Sequence, residues 1–84
     1  MALFRLLGKT GVTGILLELR QGDRNFYQLK KIIGHPTATL ERLRELERTG
    51  LVSRGPRGKR GSMAYSLTER GREISNFVNK HRDL

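Results

Sequence analysis

The stretch PTATLERLRELERTGLV, residues 36–52, constrains this chain more than any other. Leu40, Leu43 and Leu46 recur at helical spacing, with Glu41, Arg42, Arg44, Glu45 and Arg48 between them, which is the pattern of an amphipathic helix with one buried stripe. Gly50 ends that helix, because glycine takes the left-handed backbone at little cost, and Leu51 and Val52 return to the core as the start of a strand. Just upstream, KKIIGHP reads as the end of a shorter helix and a tight turn. Two helices joined through a glycine-containing turn make a helix-turn-helix. Its second member is expected to present Thr37, Ala38, Glu41 and Arg42 outward.

The flanking segments complete one small domain, which is all that 84 residues allow. Residues 2–7, ALFRLL, either pack on a neighbouring subunit or cap this chain's own core. Val12 to Arg20 places Ile15, Leu16 and Leu19 on one face of a first helix closed by Gly22. Arg24 to Tyr27 reads as a short strand or extended link with Phe26 turned inward. Tyr27 to Ile33 carries Leu29, Ile32 and Ile33 at helical spacing, with Lys30 and Lys31 on the outer side. After Val52, SRGPRGKRGSMAYSLT predicts a β-hairpin in which Met63, Tyr65 and Leu67 alternate along one inward face. Thr68 is the expected N-cap of a last helix, with Glu69 in its first turn where the helix dipole favours an anion. Ile74, Phe77, Val78 and His81 then recur at i, i+3, i+4 and i+7 as a second apolar stripe.

The order helix, short strand, helix, turn, helix, hairpin, helix is similar to the winged helix-turn-helix domains of small bacterial and archaeal transcription regulators, over residues 15–78. Glu41 to Arg54, ERLRELERTGLVSR, and Ala64 to Ile74, AYSLTERGREI, resemble the HxlR, PadR and MarR-like groups. The resemblance implies an α+β winged helix-turn-helix fold: a three-helix core, a β-hairpin wing and a C-terminal helix. It also implies that the helix matching Pro36 to Thr49 enters the major groove and that the hairpin is the wing. Where that family often begins its motif helices with a serine-type cap, this chain has Tyr27 and His35, which moves the second cap to Thr37.

Charge supports a nucleic-acid partner. Seventeen Lys and Arg against eight Asp and Glu give a formal net charge of +9, and such an excess favours a polyanion. It is concentrated in residues 53–62, where Arg54, Arg57, Lys59 and Arg60 meet no acidic residue and Gly55, Gly58 and Gly61 allow close approach to a phosphate backbone or narrow groove. A major groove admits one α-helix, so a reader needs hydrogen-bonding groups on an exposed helical face, which Thr37, Thr39, Glu41 and Arg42 supply. Arg42 either reads guanine O6 and N7 or pairs with Glu41 or Glu45 on its own helix. Arg44 and Arg48 are taken as solvated or paired with glutamates. Tyr27 and Lys31, on the first motif helix, complete the expected DNA-contacting set. Leu3, Phe4 and Leu7 with Ile74, Phe77, Val78 and His81 offer more apolar surface than a small winged core needs, so the terminal segments of this single domain, residues 1–84, are expected to form a homodimer.

Other chemistries find little support. Cysteine is absent, which removes disulfides and thiol nucleophiles. Gly8-Lys9-Thr10 lacks the earlier glycine and the preceding strand of a P-loop, GPRG and GKRG lie between strands rather than opening a helix, and His35 and His81 have no second ligand at metal spacing. No catalytic arrangement stands out, so neither an enzyme nor a cofactor is expected, and the sequence singles out no effector. No apolar run is long enough for a membrane span or secretory signal, so the expected location is cytoplasmic. The leading expectation is sequence-specific binding of double-stranded DNA by a transcription regulator. An RNA-binding or ribosome-associated winged helix is the alternative, and a structural interaction domain in a larger assembly stands behind both.

Overall fold

The computed structural model describes residues 2–56 and 59–81, and the side chains of residues 5–56 and 60–81. Helices α1 (Ala2–Leu7), α2 (Val12–Leu19), α3 (Phe26–Ile33) and α4 (Pro36–Arg48) precede a hairpin of β1 (Val52–Gly55) and β2 (Ala64–Leu67), and α5 (Glu69–His81) follows. The two strands are antiparallel, pairing Val52 with Leu67, Ser53 with Ser66, Arg54 with Tyr65 and Gly55 with Ala64. Arg24 adds a short third segment beside β2, since its N–H donates to the Tyr65 carbonyl at 3.1 Å and its carbonyl accepts from the Tyr65 N–H at 2.8 Å. The extended link expected ahead of α3 is thus paired into the sheet. This is a winged helix-turn-helix, with α2, α3 and α4 around the core and the hairpin as wing.

The core forms where the apolar stripes of the helices meet the base of the hairpin. Val12, Ile15, Leu16 and Leu19 of α2, Leu29 of α3, Leu43 and Leu46 of α4, and Leu51, Val52 and Tyr65 are buried together. Leu6 of α1 joins them, so α1 caps this chain's own core at that residue. Phe26 opens α3 instead of lying in the link, and packs half-buried against the same cluster.

Three local expectations need correction. Leu40 is only half-buried, and Thr39 takes its place in the inward stripe of α4. A threonine can sit there because its hydroxyl donates to the His35 carbonyl at 2.7 Å, leaving no orphaned donor. Met63 is 49% exposed because β2 begins only at Ala64. The cap of α4 falls on His35, whose Nδ1 accepts the Ala38 N–H at 3.2 Å, and not on Thr37. Pro36 at the first helical position suits that start, having no N–H to satisfy. The cap of α3 is Asn25, in a reciprocal box with Gln28: Oδ1 accepts the Gln28 N–H at 2.9 Å, and the Asn25 N–H donates to Gln28 Oε1 at 2.8 Å.

The junction of α4, the hairpin and α5 is tight. Gly50 has φ of +78°, the left-handed turn that ends α4. Thr68 caps α5 as expected, accepting the Gly71 N–H at 3.0 Å while its hydroxyl donates to the Gly50 carbonyl at 2.6 Å. A Cβ on Gly71 would collide with the Leu51 carbonyl oxygen, so only glycine lets α5 approach this closely. Among the described residues no helix is long and apolar enough to cross a membrane.

Candidate nucleic-acid interface

The inward stripe of α4 decides which side chains face out. With Thr39, Leu43 and Leu46 buried, the opposite face carries Thr37, Glu41, Arg44 and Arg48, all exposed and spaced i, i+4, i+7 and i+11. Arg44 and Arg48 enter no ion pair among the described residues. Their guanidinium groups are therefore available to an outside anion or base edge.

Arg42 is placed differently. Its side chain is 21% exposed on the flank of α4, and Nη1 donates to Glu45 Oε1 at 2.8 Å. Its Nε is buried with no hydrogen-bond partner among the described residues. The other oxygen of Glu45, Oε2, accepts from Lys9 Nζ in the α1–α2 turn at 2.7 Å. One carboxylate thus joins α4 to the amino-terminal part of the fold through two cations. The Lys9 hydrogen bond, seconded by the positive charges of Lys9 and Arg42, holds the Glu45 carboxyl below its ordinary value against the opposing effect of burial. In the fold without DNA, Arg42 is therefore ion-paired on its own helix.

Thr39 needs a firmer correction as a candidate contact. It is fully buried and its hydroxyl is spent on His35, so it cannot reach a groove. Ala38 is half-buried beside Arg42. On α3, Tyr27 is 73% exposed and Lys31 is exposed one turn later on the same face. Tyr27 packs edge-on against Phe26, ring centroids 6.0 Å apart.

In the wing, Arg54 points out of β1 at the rung opposite Tyr65, with Nε 4.0 Å from Glu47 Oε1 of α4. The run without acidic residues in sequence thus has one acidic neighbour in space, at the outer limit of an ion pair. Arg60 is exposed in a short 3₁₀ turn (Lys59–Gly61) with a left-handed backbone, φ +59°. Arg57 and the side chain of Lys59 lie outside the described residues, as do the side chains of Leu3 and Phe4.

On the last helix, Gly71 and Ser75 face inward while Ile74 and Val78 are half-buried. Phe77 is left 57% exposed, its ring 4.4 Å from that of His81. Leu7 packs half-buried on the core. Arg44 and Arg48, expected to be solvated or paired with glutamates, are exposed and outside the expected DNA-contacting set. Centring the stripe on residues 39, 43 and 46 instead of 40, 43 and 46 turns the outward face of α4 by roughly 30° at about 100° per residue. That turn exchanges Arg42 for Arg44.

Comparison with known proteins gives a consistent picture. A family model described as HxlR-like helix-turn-helix matches residues 6–84. A protein of Methanocaldococcus jannaschii, named an uncharacterized HTH-type transcriptional regulator, is 38% identical over 84 residues, covering 93% of this chain and 74% of its own. Among solved structures, a possible HxlR family transcriptional factor from Thermoplasma volcanium superposes with a TM-score of 0.76 at 30% identity, covering 89% of this chain and 70% of that one. The reduced form of the transcriptional regulator YodB from B. subtilis gives 0.81 at 28% identity, covering 95% and 81%.

Proposed function

The chain belongs to the HxlR-like helix-turn-helix family and is a DNA-binding transcription regulator, and from that premise we propose that α4 reads bases in the major groove through Thr37, Glu41 and Arg44. A guanidinium matches the O6 and N7 acceptors of guanine, and a carboxylate accepts from cytosine N4, so Arg44 and Glu41 favour G·C pairs at neighbouring steps of each half-site. Arg48 lies further along the same face and meets phosphate. The observation that carries this reading is the outward placement of Arg44 and Arg48 without an ion-pair partner among the described residues, while Arg42 is held by Glu45. Tyr27 and Lys31 on α3, and Arg54, Arg57, Lys59 and Arg60 of the wing, supply contacts to the phosphate backbone, which position the protein without reading sequence. The protein acts by binding, not as an enzyme.

The binding form is a homodimer in this reading. Support comes from Phe77, a large apolar ring 57% exposed on α5 beside His81, flanked by Ile74 and Val78. A two-fold partner also suits palindromic half-sites. In sedimentation, wild-type protein at tens of micromolar should run as a dimer, and Phe77→Ala should shift it toward monomer; a wild-type monomer would remove this part of the proposal.

Selection of duplexes from a random pool tests the base reading. Wild-type protein should enrich a two-fold site, and Arg44→Ala should lose preference at one position of each half-site while Arg42→Ala keeps the motif. Loss of the motif with Arg42→Ala alone would reverse the assignment. Duplex RNA of matched sequence should bind less well, because its deep, narrow major groove does not admit a helix.

A further inference from the structure

A cleft of about 200 Å³ opens between α1 and the C-terminal half of α4, lined by Arg5, Leu6, Lys9, Glu45, Arg48 and Thr49. Three cations face one carboxylate there. That carboxylate is already occupied, one oxygen by Lys9 and the other by Arg42. Arg5 and Arg48 are exposed and enter no ion pair among the described residues. The depression that continues the cleft along α4 adds Glu41 and Arg44, one charge of each sign, and leaves the positive excess unchanged. The cleft is short of an anion.

Size and lining narrow the class of ligand. A cavity of about 150 Å³ suffices for benzene, whereas sites for drug-sized molecules start near 300 Å³, so the end of the cleft beside Leu6, at about 200 Å³, seats a body of about one ring. Leu6 lines it together with Arg5, Lys9 and Arg48, whose side chains carry aliphatic stems behind their charged heads. Guanidinium groups hold both carboxylates and phosphates through paired hydrogen bonds, and the smaller carboxylate leaves room for an apolar body beside Leu6.

We propose that the cleft between α1 and α4 binds a small organic anion, a carboxylate on an apolar body about one ring in size, and that this ligand lowers DNA affinity by engaging Arg48. The site stands apart from the role of α4; its effect on DNA rests on the base-reading proposal above. Arg48 belongs both to the wall of the cleft and to the outward face of α4. A carboxylate held there neutralises positive charge on the face that meets phosphates. By linkage, DNA weakens ligand binding by the same factor.

The test titrates benzoate, with acetate as control, into the full ¹⁵N-labelled chain at constant pH and ionic strength. Amide shifts should saturate and centre on residues 5–9 and 45–49, with benzoate roughly tenfold tighter than acetate, the factor for ~1.4 kcal/mol. Arg5→Gln should weaken benzoate by roughly tenfold, as the loss of a charge-assisted hydrogen bond requires, with DNA binding in benzoate-free buffer close to wild type. Arg48→Gln, scored on benzoate alone, should weaken it similarly. Near saturation, benzoate should lower wild-type DNA affinity several-fold. Unsaturating shifts, shifts centred on the wing, equal binding of acetate and benzoate, or a cleft silent because a second copy covers it would each overturn the site. So would Arg5→Gln weakening DNA as much as the loss of wing charges, which would make the cleft a phosphate contact. Saturable benzoate binding that left DNA affinity untouched would overturn the antagonism alone, and loss of motif enrichment without loss of benzoate binding would count only against the base reading.

Discussion

Helix α4 and the wing both carry arginine to the surface, on very different supports. Leu43 and Leu46 of α4 are completely buried, its first turn is capped by His35, and Glu45 ties it to Lys9, 36 residues away in sequence. The wing is two four-residue strands anchored near their base by Val52 and Tyr65, and it carries Arg60 outward on a left-handed turn. Reading a base edge requires a guanidinium held in register, because discrimination depends on paired hydrogen bonds of fixed geometry. Neutralising a phosphate requires only charge nearby. The firmly supported element suits specificity and the lightly supported one suits affinity.

Removing the charges of the wing strains this contrast hardest. Arg57, Lys59 and Arg60 replaced together by Ala should weaken specific and random duplexes by similar factors, and the log–log salt slope should fall by about three per protomer if each meets one phosphate. Discrimination should survive. A wing variant that lost its preferred site while still binding random DNA would move sequence reading to the wing, through the shape of the groove.

The two regions share one support, and Gly71→Ala attacks it. The added methyl meets the Leu51 carbonyl between α4 and β1, so α5 must retreat from the turn where Thr68 bonds Gly50. Overpacking of this kind costs about 1–3 kcal/mol, and more where backbone is the obstacle. Urea unfolding should show a lower midpoint in a single transition, with α4 and the hairpin melting together. An unchanged midpoint would mean that α5 docks more loosely than the close approach implies.

Within α4 the contrast narrows to two arginines two residues apart. Arg44→Ala should cost about 1–3 kcal/mol on the preferred site and less on random DNA. Arg42→Ala should leave discrimination intact and lower stability modestly, since it removes one partner of Glu45. Binding isotherms on both duplexes, with circular dichroism to establish folding, separate the two effects.

The same two arginines mark how far the sequence could be read. Leucines and charges at helical spacing identify α4, the glycine in KKIIGHP the turn before it, apolar residues on either side of a Gly- and Arg-rich centre the hairpin after it, and Thr68 followed by Glu69 the start of α5. The rotation of α4 was hidden because burying Leu40 looks cheaper than burying Thr39, until the His35 carbonyl is found to accept the threonine hydroxyl. Asn25 three residues ahead of Gln28 is a capping signature that an expected helix start at Tyr27 leaves out. The Lys9 partner of Glu45 left no local trace, because periodicity reports only neighbours within a helix. Phe77 was legible as apolar, but the inward face of α5 belongs to Gly71 and Ser75, small residues that a hydrophobic stripe does not flag.

The smallest effect concerns the tie that makes α4 firm. The Glu45 carboxyl is held below its ordinary value in the fold, first by the Lys9 hydrogen bond. A carboxyl depressed in this way contributes stability that is fully present above its unfolded value and is lost as pH falls through the folded one. Glu45 and Lys9 are both partly solvated, with side chains 24% and 39% exposed, so solvent screening keeps the contribution within about 0.2–1 kcal/mol. Glu45→Gln should therefore lower stability by that much near neutral pH, and the gap to wild type should close as pH falls from the ordinary carboxylate value of 4.5 through the lower folded one. The same variant releases Arg42 from its carboxylate, so affinity for random DNA should rise slightly while the selected motif stays the same. If Glu45→Gln instead changed the motif, the tie between α4 and the α1–α2 turn would be setting the register of the helix in the groove, and the firm support of α4 would owe more to one ion pair than to the buried leucines.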